Sequence, residues 1–201
     1  MTTISQAIKS YAEALPEGTI LSSKQLLHLG KRTAIDQALS RLVKRGEVLR
    51  VQRGLFTLLI GTQFGVRPPA VCTVVENIAK LTGERVAING ANAANKLGLM
   101  TQIPTRYIFW TSGSSRHLTL GRQVVELKHV PSWQLSAPDS FAGEAFRALV
   151  FFGPREVREA LHKIKLLLPK EELQKLFGLR ANTPTWLATE LSTLAVSAAD
   201  S

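Results

Sequence analysis

Cysteine is nearly missing from this chain: Cys72 stands alone among 201 residues. An internal disulfide and any zinc site built on paired thiolates of one chain are therefore excluded. Long apolar runs are missing too. Charge interrupts the most hydrophobic segments before about 18 residues, so no membrane-crossing helix is expected. No basic stretch followed by an apolar one opens the chain, so no secretory signal is read. Acidic residues are scarce, with 15 Asp and Glu against 25 Lys and Arg, which leaves a formal net charge of +10. That excess suits a polyanionic partner without naming one. The mean hydropathy of +0.06 and 45% hydrophobic content describe a globular protein, expected in the cytoplasm and associated with the nucleoid.

Catalytic constellations are equally thin. His28, His117, His129 and His162 are scattered, with no HxxxH or CxxC spacing, so neither metal nor cofactor is expected. The run Ser112-Gly-Ser-Ser-Arg-His117 lacks the GxSxG elbow and the P-loop GK[ST], and reads as a hairpin loop between strands. The expectation is a protein that is not an enzyme.

What is present is concentrated in 31–59. Ile35, Leu39, Leu42 and Val43 recur at helical spacing, while Thr33, Gln37, Arg41 and Lys44 fall on the opposite face. Gly46 ends the helix, and Lys44 and Arg45 suit the negative end of its dipole. The period then changes to β: 47–51 and 55–59 are strand-like runs around an Arg53-Gly54 turn. Upstream, Ile4, Ile8, Tyr11 and Leu15 predict a first helix capped by Thr2 or Thr3 and stopped at 16–18. Ser22 predicts the cap of a short second helix carrying Leu26 and Leu27 and closed by Gly30. Three helices and a basic hairpin make a winged helix-turn-helix, whose third helix enters the major groove of DNA. Residues 1–60 carry nine basic side chains against four acidic ones, half of the net charge in under a third of the chain. Basic residues opposite an apolar stripe also occur on ordinary solvated helices, and winged helices also serve as protein-docking modules.

The fold expected overall is α+β: a winged helix at 1–60, a linker at 61–69 rich in Gly and Pro, and a C-terminal α+β domain at 70–201. In that second domain a helix over 71–81, a strand over 85–88 and a small-residue helix over 91–97 come first. A central antiparallel sheet from 106–111, 116–120 and 123–129 follows, then helices over 142–151, 154–168, 171–177 and 184–196. Trp110, Trp133 and Trp186 are read as packing residues, and 197–201 as a small-residue tail.

Two motifs in this order resemble a family. The run Arg41-Leu-Val-Lys-Arg-Gly-Glu-Val-Leu-Arg-Val-Gln-Arg-Gly-Leu-Phe56 is similar to the rL-x-x-x-G-x-l-x-R-v-x-r-G-v-Y run of AbiEi-type antitoxins of type IV toxin–antitoxin (abortive infection) systems and the related bacterial DUF6088 proteins. The run Ile88-Asn-Gly-Ala-Asn-Ala-Ala-Asn-Lys-Leu-Gly-Leu99 resembles their G-x-x-A-l-x-x-l-G-L element. The likeness runs from about residue 5 to about 130, and Phe56 stands where the family more often has tyrosine. The resemblance implies an autorepressor that binds inverted repeats in its own promoter, and an antitoxin that counteracts a nucleotidyltransferase-like toxin. By position it assigns DNA contacts to Arg32, Thr33, Gln37, Arg41, Lys44, Arg50 and Arg53.

Side-chain chemistry divides these contacts. Gln37 pairs bidentately with adenine and Arg41 with guanine, at about 1–3 kcal/mol of discrimination each. Lys44, Arg45 and Arg50 suit phosphates, and Arg53 at the wing tip suits a narrow minor groove. One module covers a small footprint, so a dimer on an inverted repeat is expected. The alternative is a stand-alone regulator whose C-terminal domain dimerises or senses a ligand.

Overall fold

The computed structural model describes residues 3–102 and 105–199. Its class is α+β, with seven α-helices and nine strands among the described residues. Thr2, one of the two expected caps, and the end of the tail, 200–201, lie outside them.

Helix α1 (Ile4–Glu13) starts at Thr3 in a reciprocal capping box: the Thr3 hydroxyl accepts from the Gln6 N–H, and the Gln6 side chain accepts from the Thr3 N–H. Ser22 exchanges the same kind of bonds with Gln25, but no α-helix follows. Ser22 ends strand β1 (Leu21–Ser22), and only a turn and a three-residue 3-10 helix, Leu27–Leu29, fit before Gly30. Helix α2 (Arg32–Lys44) buries Ile35, Leu39 and Leu42 of the stripe read from the sequence, with Ala38 beside them, while Val43 is half-buried. Strands β2 (Val48–Gln52) and β3 (Leu55–Leu58) pair antiparallel around Arg53-Gly54. Gly54 takes a left-handed φ of +78°, which this tight turn requires and a Cβ would strain. The sheet order is β1-β3-β2, and Ile8, Leu26, Ile35, Leu39, Leu42 and Val48 form the core beneath it.

The segment read as an extended linker holds a two-stranded hairpin instead, β4 (Ile60–Thr62) with β5 (Gly65–Arg67). Thr62 closes it, its hydroxyl donating to the Gly65 carbonyl and accepting from the Phe64 N–H. Helix α3 (Val71–Thr82) follows. The remaining strands are β6 (Val86–Ile88), β7 (Tyr107–Thr111), β8 (Arg116–Leu120) and β9 (Gln123–His129), in the order β6-β7-β9-β8.

The chain packs as two units, which differ in extent from the expected domains. The first comprises 1–84 and 116–126, and the second 85–115 and 127–201. Within the first, β8 returns to lie beside β2, with Leu118 and Leu120 fully buried. Within the second, β6 pairs antiparallel with β7 and leads into α4 (Gly90–Lys96). Helix α4 packs on α5 (Phe141–Leu167), followed by α6 (Lys170–Gly178) and α7 (Thr185–Ala199). Helix α5 is broken at Gly153 (φ +68°), immediately before Pro154, as the two helices read from the sequence require. Phe146, Leu149, Leu161, Ile164, Leu176 and Leu187 centre its core, with Trp133 and Trp186 packed against it and Trp110 against Ala87 and Leu135.

Candidate nucleic-acid interface

Burial of the Ile35–Leu42 stripe turns the opposite face of α2 outward. Arg32, Thr33, Gln37, Arg41 and Lys44 are all exposed along it, and Arg45, Arg50 and Arg53 are exposed beyond its end. Gln37, Arg41 and Lys44 line one shallow depression together with Asp36 and Ser40. The two base-reading candidates and a phosphate-type lysine therefore share one patch.

The eight side chains are not equally available. Arg32 donates its Nε–H to Asp36 at 3.1 Å, one helical turn away. Asp36 also accepts from the Ser23 hydroxyl, and that bond first and Arg32 second hold its carboxyl below the usual aspartate range. Arg45 stands 4.0 Å from Glu47, whose carboxylate is held by Lys9 at 2.8 Å. The Lys9 ammonium lowers the Glu47 carboxyl and is itself raised by it. The Arg50 guanidinium lies 5.3 Å from the centre of the Phe56 ring and stays exposed. Among the described residues, Arg41, Lys44 and Arg53 have no ion-pair partner.

Asp36 was missed as part of this surface. Its spacing of four from Arg32 is the signal that finds it. A carboxylate beside Gln37 and Arg41 lowers the positive potential at that end of the depression.

Residues 112–115 connect β7 and β8, Arg116 and His117 open β8, and the hydroxyls of Ser112 and Ser115 serve the backbone. Ser112 accepts from the Arg85 N–H, Ser115 from the His129 N–H and Thr111 from the Gly113 N–H. Among the described residues no group of three His, Cys, Asp or Glu side chains is placed to hold a metal ion, and no helix is long and apolar enough to cross a membrane.

Residues 4–176 match a family described as "Family of unknown function (DUF6088)". The chain belongs to the DUF6088 family. No curated protein matches the sequence. Among solved structures, the RV2827C protein from Mycobacterium tuberculosis shares the fold of this DUF6088 chain with a TM-score of 0.53 and 16% sequence identity, over 94% of this chain and 75% of that one. At that identity the likeness is one of fold alone. The family match includes both motifs quoted above, the 41–56 run and the 88–99 element.

Proposed function

We propose that this chain is a DNA-binding autorepressor whose first unit reads an operator through α2 and the β2–β3 hairpin, and that it acts as the antitoxin of a type IV toxin–antitoxin system. We read α1, the turn over 23–29, α2 and the β1-β3-β2 sheet as a winged helix, with α2 as the recognition helix. The observation that carries the DNA half is the shared depression: Gln37, Arg41 and Lys44 converge on the exposed face of a helix whose other face buries Ile35, Ala38, Leu39 and Leu42. The exposed Arg50 and Arg53 extend that basic surface along the hairpin. Gln37 and Arg41 read base edges, Lys44, Arg45 and Arg50 bind phosphates, and Arg53 enters the minor groove. Two copies bind an inverted repeat.

The antitoxin half rests on the resemblance of the 88–99 element, which forms the end of β6 and all of α4. A nucleotidyltransferase-like toxin is the partner it implies.

Band-shift titration of the full chain on its own upstream region and on a random duplex, at several salt concentrations, tests the DNA half. Arg41→Ala is expected to cost about 1–3 kcal/mol on the operator and little on random DNA, whereas Lys44→Ala weakens both alike. Equal losses for Arg41→Ala on the two duplexes refute its base-reading role. Binding that ignores salt refutes the DNA reading altogether. For the antitoxin half, co-expression with the product of an adjacent nucleotidyltransferase gene should restore growth. Failure to do so favours the stand-alone regulator.

A further inference from the structure

Among the described residues, one non-glycine residue takes a left-handed backbone: Ala137, at φ +47°, in the segment that leads into α5. An L side chain in that region costs roughly five- to thirty-fold in population. Pro138 follows, and its ring restricts the residue before it further. The segment is also pressed against the first turn of α5. A Cβ on Gly143 would overlap the Ala137 carbonyl and stand 2.9 Å from the Ser136 carbonyl oxygen, so only glycine admits this approach.

An independent cost lies under the same segment. Arg147 is fully buried, gives its Nη2 to the Pro138 carbonyl at 3.0 Å, and leaves Nε and Nη1 without a partner. Glu144, one turn earlier, gives one carboxylate oxygen to Lys96 and keeps the other buried and unpaired. A desolvated cation with unused donors is unfavourable wherever water can be reached. Little holds the cover down. Leu135 is fully buried on one side and Ser140 caps α5 on the other, but no side chain of 136–139 is buried. Segments with so little apolar burial open far more readily than the core around them.

We infer that 136–139 is a strap that lifts off α5 while the rest of the second unit stays folded, turning Arg147 from an internal cation into a surface one. Lifting relieves the Ala137 backbone and hydrates the guanidinium together; it gives up the Pro138 bond and the Ser140 N–H bond to the Ala137 carbonyl. The released arginine belongs to the turn of α5 whose carbonyl Gly90 of α4 packs against. This device rests on neither half of the proposed function.

The test is modification of the full chain by phenylglyoxal, an arginine reagent, with each modified residue located by peptide mass mapping and the Ser140 amide followed by hydrogen exchange. Exposed Arg155 reacts directly and serves as the internal standard. Arg147 is expected to react more slowly, at a rate that low urea changes by less than about two-fold, because lifting so short a segment exposes little surface. Ala137→Gly relaxes the closed form, and should slow both Arg147 modification and Ser140 exchange about two- to ten-fold while Arg155 is unaffected. Arg147→Met removes the buried charge, and should slow Ser140 exchange at least about five-fold. The proposal is overturned if Arg147 stays unmodified below the unfolding transition, or if its rate climbs with urea as steeply as global unfolding. Reaction as fast as that of Arg155, or unchanged rates in Ala137→Gly, overturns it as well. Should Arg147→Met fail to fold, the urea series and Ala137→Gly still decide.

Discussion

Replacing Gly90 with alanine tests the closest approach in the second unit. Gly90 is the first residue of α4, and a Cβ built there would overlap the carbonyl oxygen of Arg147 and stand 2.6 Å from the Cβ of Phe151. Non-bonded carbons rest at about 3.5–4.0 Å, so roughly 1 Å of separation between α4 and α5 is needed. The obstructing atoms are backbone and Cβ, which cannot rotate aside. Around them Ala93, Ala94 and Ala148 are completely buried, small residues that already hold the two helices at minimum distance. Overpacking of this kind costs about 1–3 kcal/mol, and the opposing gain in helix propensity is at most about 1 kcal/mol. The clash falls at the upper end because backbone is involved, so a net loss of about 2 kcal/mol is expected. For a chain of this length that lowers the melting temperature by about 4–8 °C. Urea unfolding of the full chain, read at constant m-value, measures it directly. Gly178→Ala, where a Cβ meets nothing within 4 Å, is the control and should lose nothing. Wild-type stability in Gly90→Ala, within about 0.5 kcal/mol, would refute this account of why the 90–99 element begins with glycine.

Asp36→Asn keeps an acceptor for Ser23 but removes the carboxylate that holds Arg32, the one carboxylate lining the α2 depression. If α2 faces DNA, affinity should rise about two- to five-fold and the log–log salt slope should steepen by up to about 0.9 as Arg32 gains a phosphate; an unchanged or shallower slope counts against that placement. Asp36, Glu47, Glu159 and Glu172 all have carboxyl groups held below their ordinary range, by Ser23, Lys9, Lys163 and Lys175 respectively. A depressed folded value adds stability above the unfolded one and loses it as pH falls, so the melting temperature should be flat above about pH 5 and drop below about pH 4. A flat profile down to pH 3 contradicts this. Arg147 is fully buried, and burial pushes its guanidinium down to about 10. Its Nη2 donates to the Pro138 carbonyl at 3.0 Å, while Nε and Nη1 have no partner. Below pH 10 it stays charged, so the desolvation cost is present in full at neutral pH. Arg147→Met should therefore raise the unfolding free energy by about 1–3 kcal/mol, and a loss in urea titration would show that the Pro138 bond dominates.

Helices were legible wherever apolar period and punctuation agreed. The buried set of α2 is the stripe at 35, 39 and 42, and Pro154 announced the break inside α5. Strands β8 and β9 fall on the residues that turn chemistry bracketed. Three features escaped. The second helix of the first unit shrank to a 3-10 turn because β1 takes Ser22, a two-residue strand that exists only through its partner Phe56–Leu55. The hairpin over 60–67 was hidden by its glycines and the following prolines, although Ile60, Thr62 and Val66 are β formers. The return of 116–126 to the first unit is a long-range choice that no local window carries. At the candidate interface, the identity and exposure of eight cationic or polar side chains were readable. Which of them are engaged was not, because it depends on Asp36, Glu47, Lys9 and Phe56 arriving from neighbouring turns and strands.

That return has a kinetic meaning. Strand β2 gains its neighbour β8 only after some sixty intervening residues have been made, among them 85–115, which belong elsewhere. On the ribosome the first unit must therefore wait, with the surfaces that will cover Leu118 and Leu120 open, until the chain doubles back. Pairing across such a sequence separation is slow, because loop closure precedes any reward from contact. The first unit should accordingly mature in a late step, and a nascent chain stalled before residue 116 is the species most in need of a chaperone.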